Sequence, residues 1–138
     1  MKRSPVLLFL ATCATLSALT LTACSFSAST ANISDAKMAR DQEGNHPTKV
    51  FSPDEDFYCV AELSNAPDDT KVKAVWTALD VEGVEPDTKI DETSATGGGG
   101  QLQFSLTNDG SWPVGEYKVD LFLNDEQKPT RTLEFKVE

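Results

Sequence analysis

An all-β sandwich over residues 49–138 is what the sequence predicts, on three observations. Apolar residues there recur at every second position, Gly, Pro, Asn and Asp punctuate them at short intervals, and no amphipathic segment of helix length competes. Period two places successive side chains on opposite faces of a strand, so each segment has one face to bury and one to wet. About seven antiparallel strands in two facing sheets would bury those faces together.

Each element follows from its own residues. Lys49 to Ser52 predicts a short first strand, stopped by Pro53. Phe57, Cys59, Ala61 and Leu63 fall on one face of the second, and Val72, Ala74, Trp76 and Ala78 repeat the pattern in the third. Thr88 to Ser94 reads as an edge strand whose charges discourage pairing with another edge. Leu102, Phe104 and Leu106 alternate with polar residues, as do Leu133, Phe135 and Val137. Tyr117, Val119, Leu121 and Leu123 define the remaining strand, in which Phe122 is the one outward aromatic. The run Gly97 to Gly100 reads as a flexible loop, because four consecutive glycines cost entropy to order.

Two features of this domain are similar to those of immunoglobulin-like sandwiches. Trp76 in Ala74-Val75-Trp76 resembles their core tryptophan, and Tyr117 in Gly115-Glu116-Tyr117-Lys118-Val119 resembles their tyrosine corner. The segment Asp109 to Tyr117 also resembles the corner of bacterial immunoglobulin-like and fibronectin-like modules, in which a glycine two positions before the tyrosine turns the chain into a strand. The resemblance implies the fold and not the antibody family, whose intersheet disulfide is impossible here, since Cys59 is the domain's single cysteine.

The N-terminal residues carry an address. Lys2 and Arg3 precede an apolar stretch, Val6 to Leu21, that is short and interrupted by polar residues; about 20 apolar residues are needed to cross a bilayer as a helix. Leu21-Thr22-Ala23-Cys24 then resembles the lipobox of bacterial lipoproteins. The resemblance implies cleavage before Cys24, a diacylglyceryl group on its sulfur and often an acyl group on the new amine; two or three chains anchor a protein stably. An ordinary cleaved signal, with Cys24 merely beside the cut, is the bland alternative. In Gram-negative lipoproteins Asp after the cysteine favours inner-membrane retention, so Ser25 is compatible with the outer membrane.

The layout expected from the sequence is therefore a signal peptide over 1–23, a lipidated cysteine and disordered tether over 24–48, and the immunoglobulin-like domain over 49–138. The tether is rich in Ser, Thr, Ala, Asn, Asp and Gln, with Phe26, Ile33 and Met38 as its few apolar anchors. Such a chain spans about 25–30 Å on average and stretches to about 80 Å. Within it Asp35 to Arg40 would form a helical turn, too short to persist alone.

Charge and chemistry narrow the function. Removing residues 1–23 takes away Lys2 and Arg3 and no acidic residue, so the net charge moves from −10 to −12. That excludes nucleic acid and anionic lipid headgroups as partners and leaves the lipid on Cys24 as the membrane contact. Cys59 shares a face with Phe57 and Leu63 and reads as an inert buried thiol, while the single histidine, His46, sits in the tether beside Pro47. No catalytic residues, cofactor or metal are expected; the carboxylates at Asp54-Glu55-Asp56, Asp68-Asp69 and Asp91-Glu92 lack the spacing of a calcium loop and read as a solvated rim.

Trp112 and Phe122 are the candidate binding aromatics, although Trp112, beside Pro113, also fits a packed corner residue. A strand edge or loop patch over Val81 to Ala95 with the glycine run is the other candidate surface. The expected role is a non-enzymatic binding or accessory module at the cell envelope, with a protein or envelope polymer as partner. The alternative is an inhibitor or exclusion factor that presents a loop to an envelope hydrolase or phage component; its acidic surface would steer it to a basic target.

Overall fold

Eight strands, and among the described residues 30–138 no helix, make up the computed structural model. They are β1 (Asn32–Ala39), β2 (Val50–Phe51), β3 (Phe57–Ser64), β4 (Thr70–Val81), β5 (Thr88–Gly97), β6 (Gly100–Leu106), β7 (Gly115–Leu123) and β8 (Arg131–Val137). One sheet has the order β1-β3-β6 and the other β2-β8-β7-β4-β5. All pairings are antiparallel except that of β2 with β8. The lipobox Leu21 to Cys24 lies outside the described residues.

The faces assigned from period two are the ones buried. Phe57, Cys59 and Ala61 from β3, Val72, Ala74 and Trp76 from β4, and Tyr117, Val119 and Leu121 from β7 all pack between the sheets. Phe51, Phe57, Tyr117 and Phe135 form an aromatic cluster, with Phe57 edge-on to Phe135 at 4.8 Å and Tyr117 stacked on Phe135 at 5.5 Å. Such pairs add about 0.5–1.5 kcal/mol each beyond their buried area.

The expected tether is corrected by β1. Residues 32–39 are a strand paired with β3 from Asn32↔Ser64 to Ala39↔Tyr58, not disordered chain and not a helical turn over Asp35 to Arg40. Ile33 and Met38 are core residues. The physical reason is a bulge at Ser34, between the pairs Ile33↔Leu63 and Asp35↔Glu62. The extra residue sets the apolar positions at 33, 36 and 38, a spacing that hides a strand from a period-two reading. Arg131 on β8 holds the bulge, its guanidinium donating to the Ile33 carbonyl at 3.0 and 3.2 Å and to that of Ser34 at 3.2 Å. The turn after β1 is ordered too: the backbone N–H groups of Asn45 and His46 donate to the Asp41 carboxylate at 2.9 and 2.7 Å.

The registers give the sandwich two distinct ends. Asn32, Ser64, Thr70, Gly97, Gly100 and Leu123 lie at the end where β1 enters, here the proximal end. Ala39, Phe57, Val81, Thr88, Leu106 and Gly115 lie at the distal end. The 12 residues of β4 separate them by about 40 Å at strand rise. The glycine run is proximal, and only Gly98 and Gly99 carry the chain from β5 in one sheet to β6 in the other.

Candidate functional site

The distal end is built from the β2–β3 turn, the β4–β5 turn and the β6–β7 connection, and their backbones are tied together. Trp112 N–H donates to the Pro53 carbonyl at 2.8 Å, and Glu82 N–H to that of Val114 at 3.1 Å. The Tyr117 hydroxyl donates to the Pro113 carbonyl at 2.6 Å, which makes it the tyrosine corner that the sequence suggests. Burial raises the pKa of that phenol, so it stays a donor at neutral pH. Gly115 sits at φ +152°, where a Cβ would lie 2.3 Å from the Asp80 carbonyl oxygen, so only glycine lets the connection cross β4 this closely.

Two strand irregularities lie near this end, and they send their side chains to different places: Leu79 to the outer face of the larger sheet and Ile90 to a distal cleft. In β4, Leu79 is the extra residue between the pairs Ala78↔Tyr117 and Asp80↔Glu116. In β5, Ile90 is the extra residue between Trp76↔Asp91 and Thr77↔Lys89. A bulge redirects a side chain, and Ile90 is turned onto a cleft of about 170 Å³ that Val81, Val84, Trp112, Pro113 and Asn108 also line. Of the three large apolar residues most exposed among the described ones, Val84 at 36% and Ile90 at 38% line this cleft, and Val114 at 47% follows Pro113 in the chain.

Its surroundings are acidic. Glu82, Glu85 and Asp87 lie in the β4–β5 turn and Asp109 adjoins Asn108; all four are exposed, and none is in an ion pair among the described residues. Lys89 is the only Lys or Arg between Lys73 and Lys118. It is occupied at 2.7 Å by Glu92, whose carboxyl that hydrogen bond and charge hold below its usual pKa. A broader groove on the outer face of the larger sheet, with Val50, Leu79 and Phe135 in its lining, mixes both signs instead, Lys49 and Lys136 with Glu116 and Glu134.

The residues singled out from sequence are placed as follows. Trp112 is 8% exposed and stacked on Phe57 at 4.6 Å, so it is the packed corner residue and contributes only an edge to the cleft. As an exposed binding aromatic it is corrected. Phe122 is half-buried on the outer face of β7, under the Lys73 ammonium at 4.9 Å from its ring, and takes no part in the distal cleft. The Val81 to Ala95 patch is divided: Val81, Val84 and Ile90 face the cleft, while the glycine run is at the opposite end. What sequence reasoning missed is the grouping of Val84, Ile90 and Pro113. The available signal was a valine in a turn-forming stretch, Glu82-Gly83-Val84-Glu85-Pro86, where a polar residue is the rule.

Cys59 is fully buried and free, and burial pushes its thiol up to about 12, so it is neither thiolate nor accessible. His46 is exposed in the turn after β1, its Nδ1 3.4 Å from Asp41. Among the described residues no group of three or more His, Cys, Asp or Glu is placed to hold a metal ion.

No protein-family model matches the chain, and neither does any curated protein. Among solved structures it is similar to an immunoglobulin-like protein from Pseudomonas aeruginosa, at a TM-score of 0.51 and 12% identity, over 78% of this chain and 96% of that one. The chain therefore has an immunoglobulin-like fold. In that frame Cys59 occupies the second strand of the smaller sheet, and Val119, two residues after the corner tyrosine, stands where antibody domains place their second cysteine.

Proposed function

We propose that this chain is a lipid-anchored, non-enzymatic binding module of a bacterial envelope, held through Cys24 and recognising a partner with the distal end of its sandwich. The observation that carries the reading is the apolar cleft on hydrogen-bonded loops at the end opposite to where the chain enters. Immunoglobulin-like sandwiches are not typically enzymatic, and here the buried Cys59 and the exposed His46 form no nucleophile–base pair.

The β1 strand changes what the anchor does. Between Cys24 and Asn32 the chain can span only roughly 25–30 Å, so the proximal end rides near the headgroups instead of at the end of a long tether. The distal cleft then points away from the membrane, about one domain length further out. Ser25 fits delivery to the outer membrane. The test is a Cys24→Ser variant in the native host: the wild type carries acyl mass on Cys24 and sediments with membranes, and the variant is soluble or unprocessed. A processed variant that still sediments with membranes contradicts the anchor.

A second reading, an inhibitor or exclusion factor, is favoured by the unpaired carboxylates around the cleft, which suit a basic hydrolase. It requires a basic envelope hydrolase to lose activity in excess of the protein, and unchanged kinetics removes it.

A further inference from the structure

We propose that the distal cleft is the docking site for a cationic polypeptide segment, which inserts one apolar side chain between Val84, Ile90 and Pro113 and sets Lys or Arg on either side against Glu82, Glu85 and Asp87. This rests on the binding-module reading and names its partner class.

Size decides the apolar part. At about 170 Å³ the cleft is below the roughly 300–1,000 Å³ of pockets that enclose drug-sized ligands or cofactors, and it is open on one side, which suits a single side chain of a larger partner. Its floor is rigid: Trp112 is stacked on Phe57, the Tyr117 hydroxyl holds the Pro113 carbonyl, and Glu82 N–H bonds across to Val114. Little loop entropy is lost when such a surface is covered.

Charge decides the partner. The carboxylates of Glu82, Glu85, Asp87 and Asp109 flank the lining residues without a cation of their own among the described residues. An anionic polymer or nucleic acid is repelled by them. A second copy of this chain, itself strongly acidic, is opposed for the same reason. A basic segment has its charges met at the rim while its apolar residue is removed from water. Because the rim is exposed, its share of the binding weakens with salt, the Debye length being about 8 Å at physiological ionic strength.

The test uses the processed full chain, purified from cells and reconstituted in zwitterionic nanodiscs to which cationic peptide has no charge attraction. The probe is a peptide with one Leu between pairs of Lys. Binding is read from Trp112, the tryptophan that meets the cleft, and from the methyl resonances of Val84 and Ile90. The expected result is shifts confined to those residues and at least tenfold weaker binding when the peptide's Leu becomes Ser or its Lys become Glu. The double variant Val84→Ser and Ile90→Ser, both exposed positions, weakens the Leu peptide at least tenfold without lowering Tm appreciably. Glu82→Gln with Glu85→Gln and Asp87→Asn, the last tolerating the positive φ of 59°, removes most of the salt dependence.

Equal binding of the Leu and Ser peptides overturns the proposal, as does binding that ignores the double variant, or self-association of the chain through the cleft. The acyl mass and membrane partition of the same preparation score the anchor separately. A silent cleft on a Cys24-anchored protein thus overturns this proposal and leaves the anchored module standing, whereas cleft binding by an unlipidated chain supports this proposal and removes the anchor.

Discussion

Gly115→Ala is expected to be among the most damaging single-methyl additions in the chain. The new Cβ would stand 2.3 Å from the Asp80 carbonyl oxygen and 2.6 Å from the Val81 Cα, both backbone atoms of the longest strand. Neither moves alone, since Asp80 and Val81 are paired with β7 and Glu82 N–H bonds to Val114. The φ of +152° adds a backbone penalty of about 1–3 kcal/mol for any side chain. Relief of the clash adds overpacking strain of about 1–3 kcal/mol, for a total of about 2–6 kcal/mol. A domain of this length has about 5–15 kcal/mol in all. Gly83→Ala separates the terms: its φ is +77° but nothing lies within 4 Å of the added methyl, so it bears only the backbone penalty. Urea titration of both variants gives the two free energies. At roughly 4 °C or more of Tm per kcal/mol, Gly115→Ala melts at least about 8 °C below wild type. If it loses less than about 1 kcal/mol more than Gly83→Ala, the close crossing at the corner does not constrain the chain and the reasoning fails.

Three further outcomes are expected. Ile33→Ala lowers stability by about 2–4 kcal/mol in denaturant titration, since Ile33 is fully buried in the core; a tether residue would change nothing. Cys59 does not react with a thiol reagent at pH 8 until the chain is unfolded, because its thiol is buried and titrates near 12; prompt labelling of the native protein contradicts this burial. The Ser52 N–H, outweighing a smaller opposing effect of burial and aided by Arg40, holds the Glu55 carboxyl below its ordinary 4.5. A depressed folded pKa gives stability that is full above the unfolded value and is lost as pH falls through the folded one. Glu55→Gln is therefore less stable than wild type at pH 7, and the gap closes as the pH is taken from about 5 downward; a gap that widens in acid contradicts the assignment.

How far the sequence was legible depends on whether pairing was local in pattern. Strands β3, β4, β6, β7 and β8 announce themselves because each buries one face without interruption over the residues that define it, so alternation in the chain equals alternation in space. β1 did not, because the bulge at Ser34 shifts its phase and a guanidinium 97 and 98 residues away satisfies the exposed carbonyls. Trp112 was legible as a corner residue from Pro113 and Gly115 beside it, but the stack on Phe57 that buries it is a contact between elements remote in sequence.

Composition and order along the chain determined by themselves the all-β class, the buried faces, the acidity, the tyrosine corner and the expectation of a lipid on Cys24, since each depends on residue type and near-neighbour spacing. Tertiary structure alone decided that residues 32–39 join the sandwich and that Val84, Ile90 and Pro113 meet in one cleft at the end away from Asn32. Ile90 is separated from Pro113 by the whole of β6 and a change of sheet, and no pattern within either segment contains that distance. The bulge at Ile90 and a close crossing at Gly115 bring them together, through backbone geometry that hydrogen bonding between strands imposes on the folded chain and that short-range alternation does not encode.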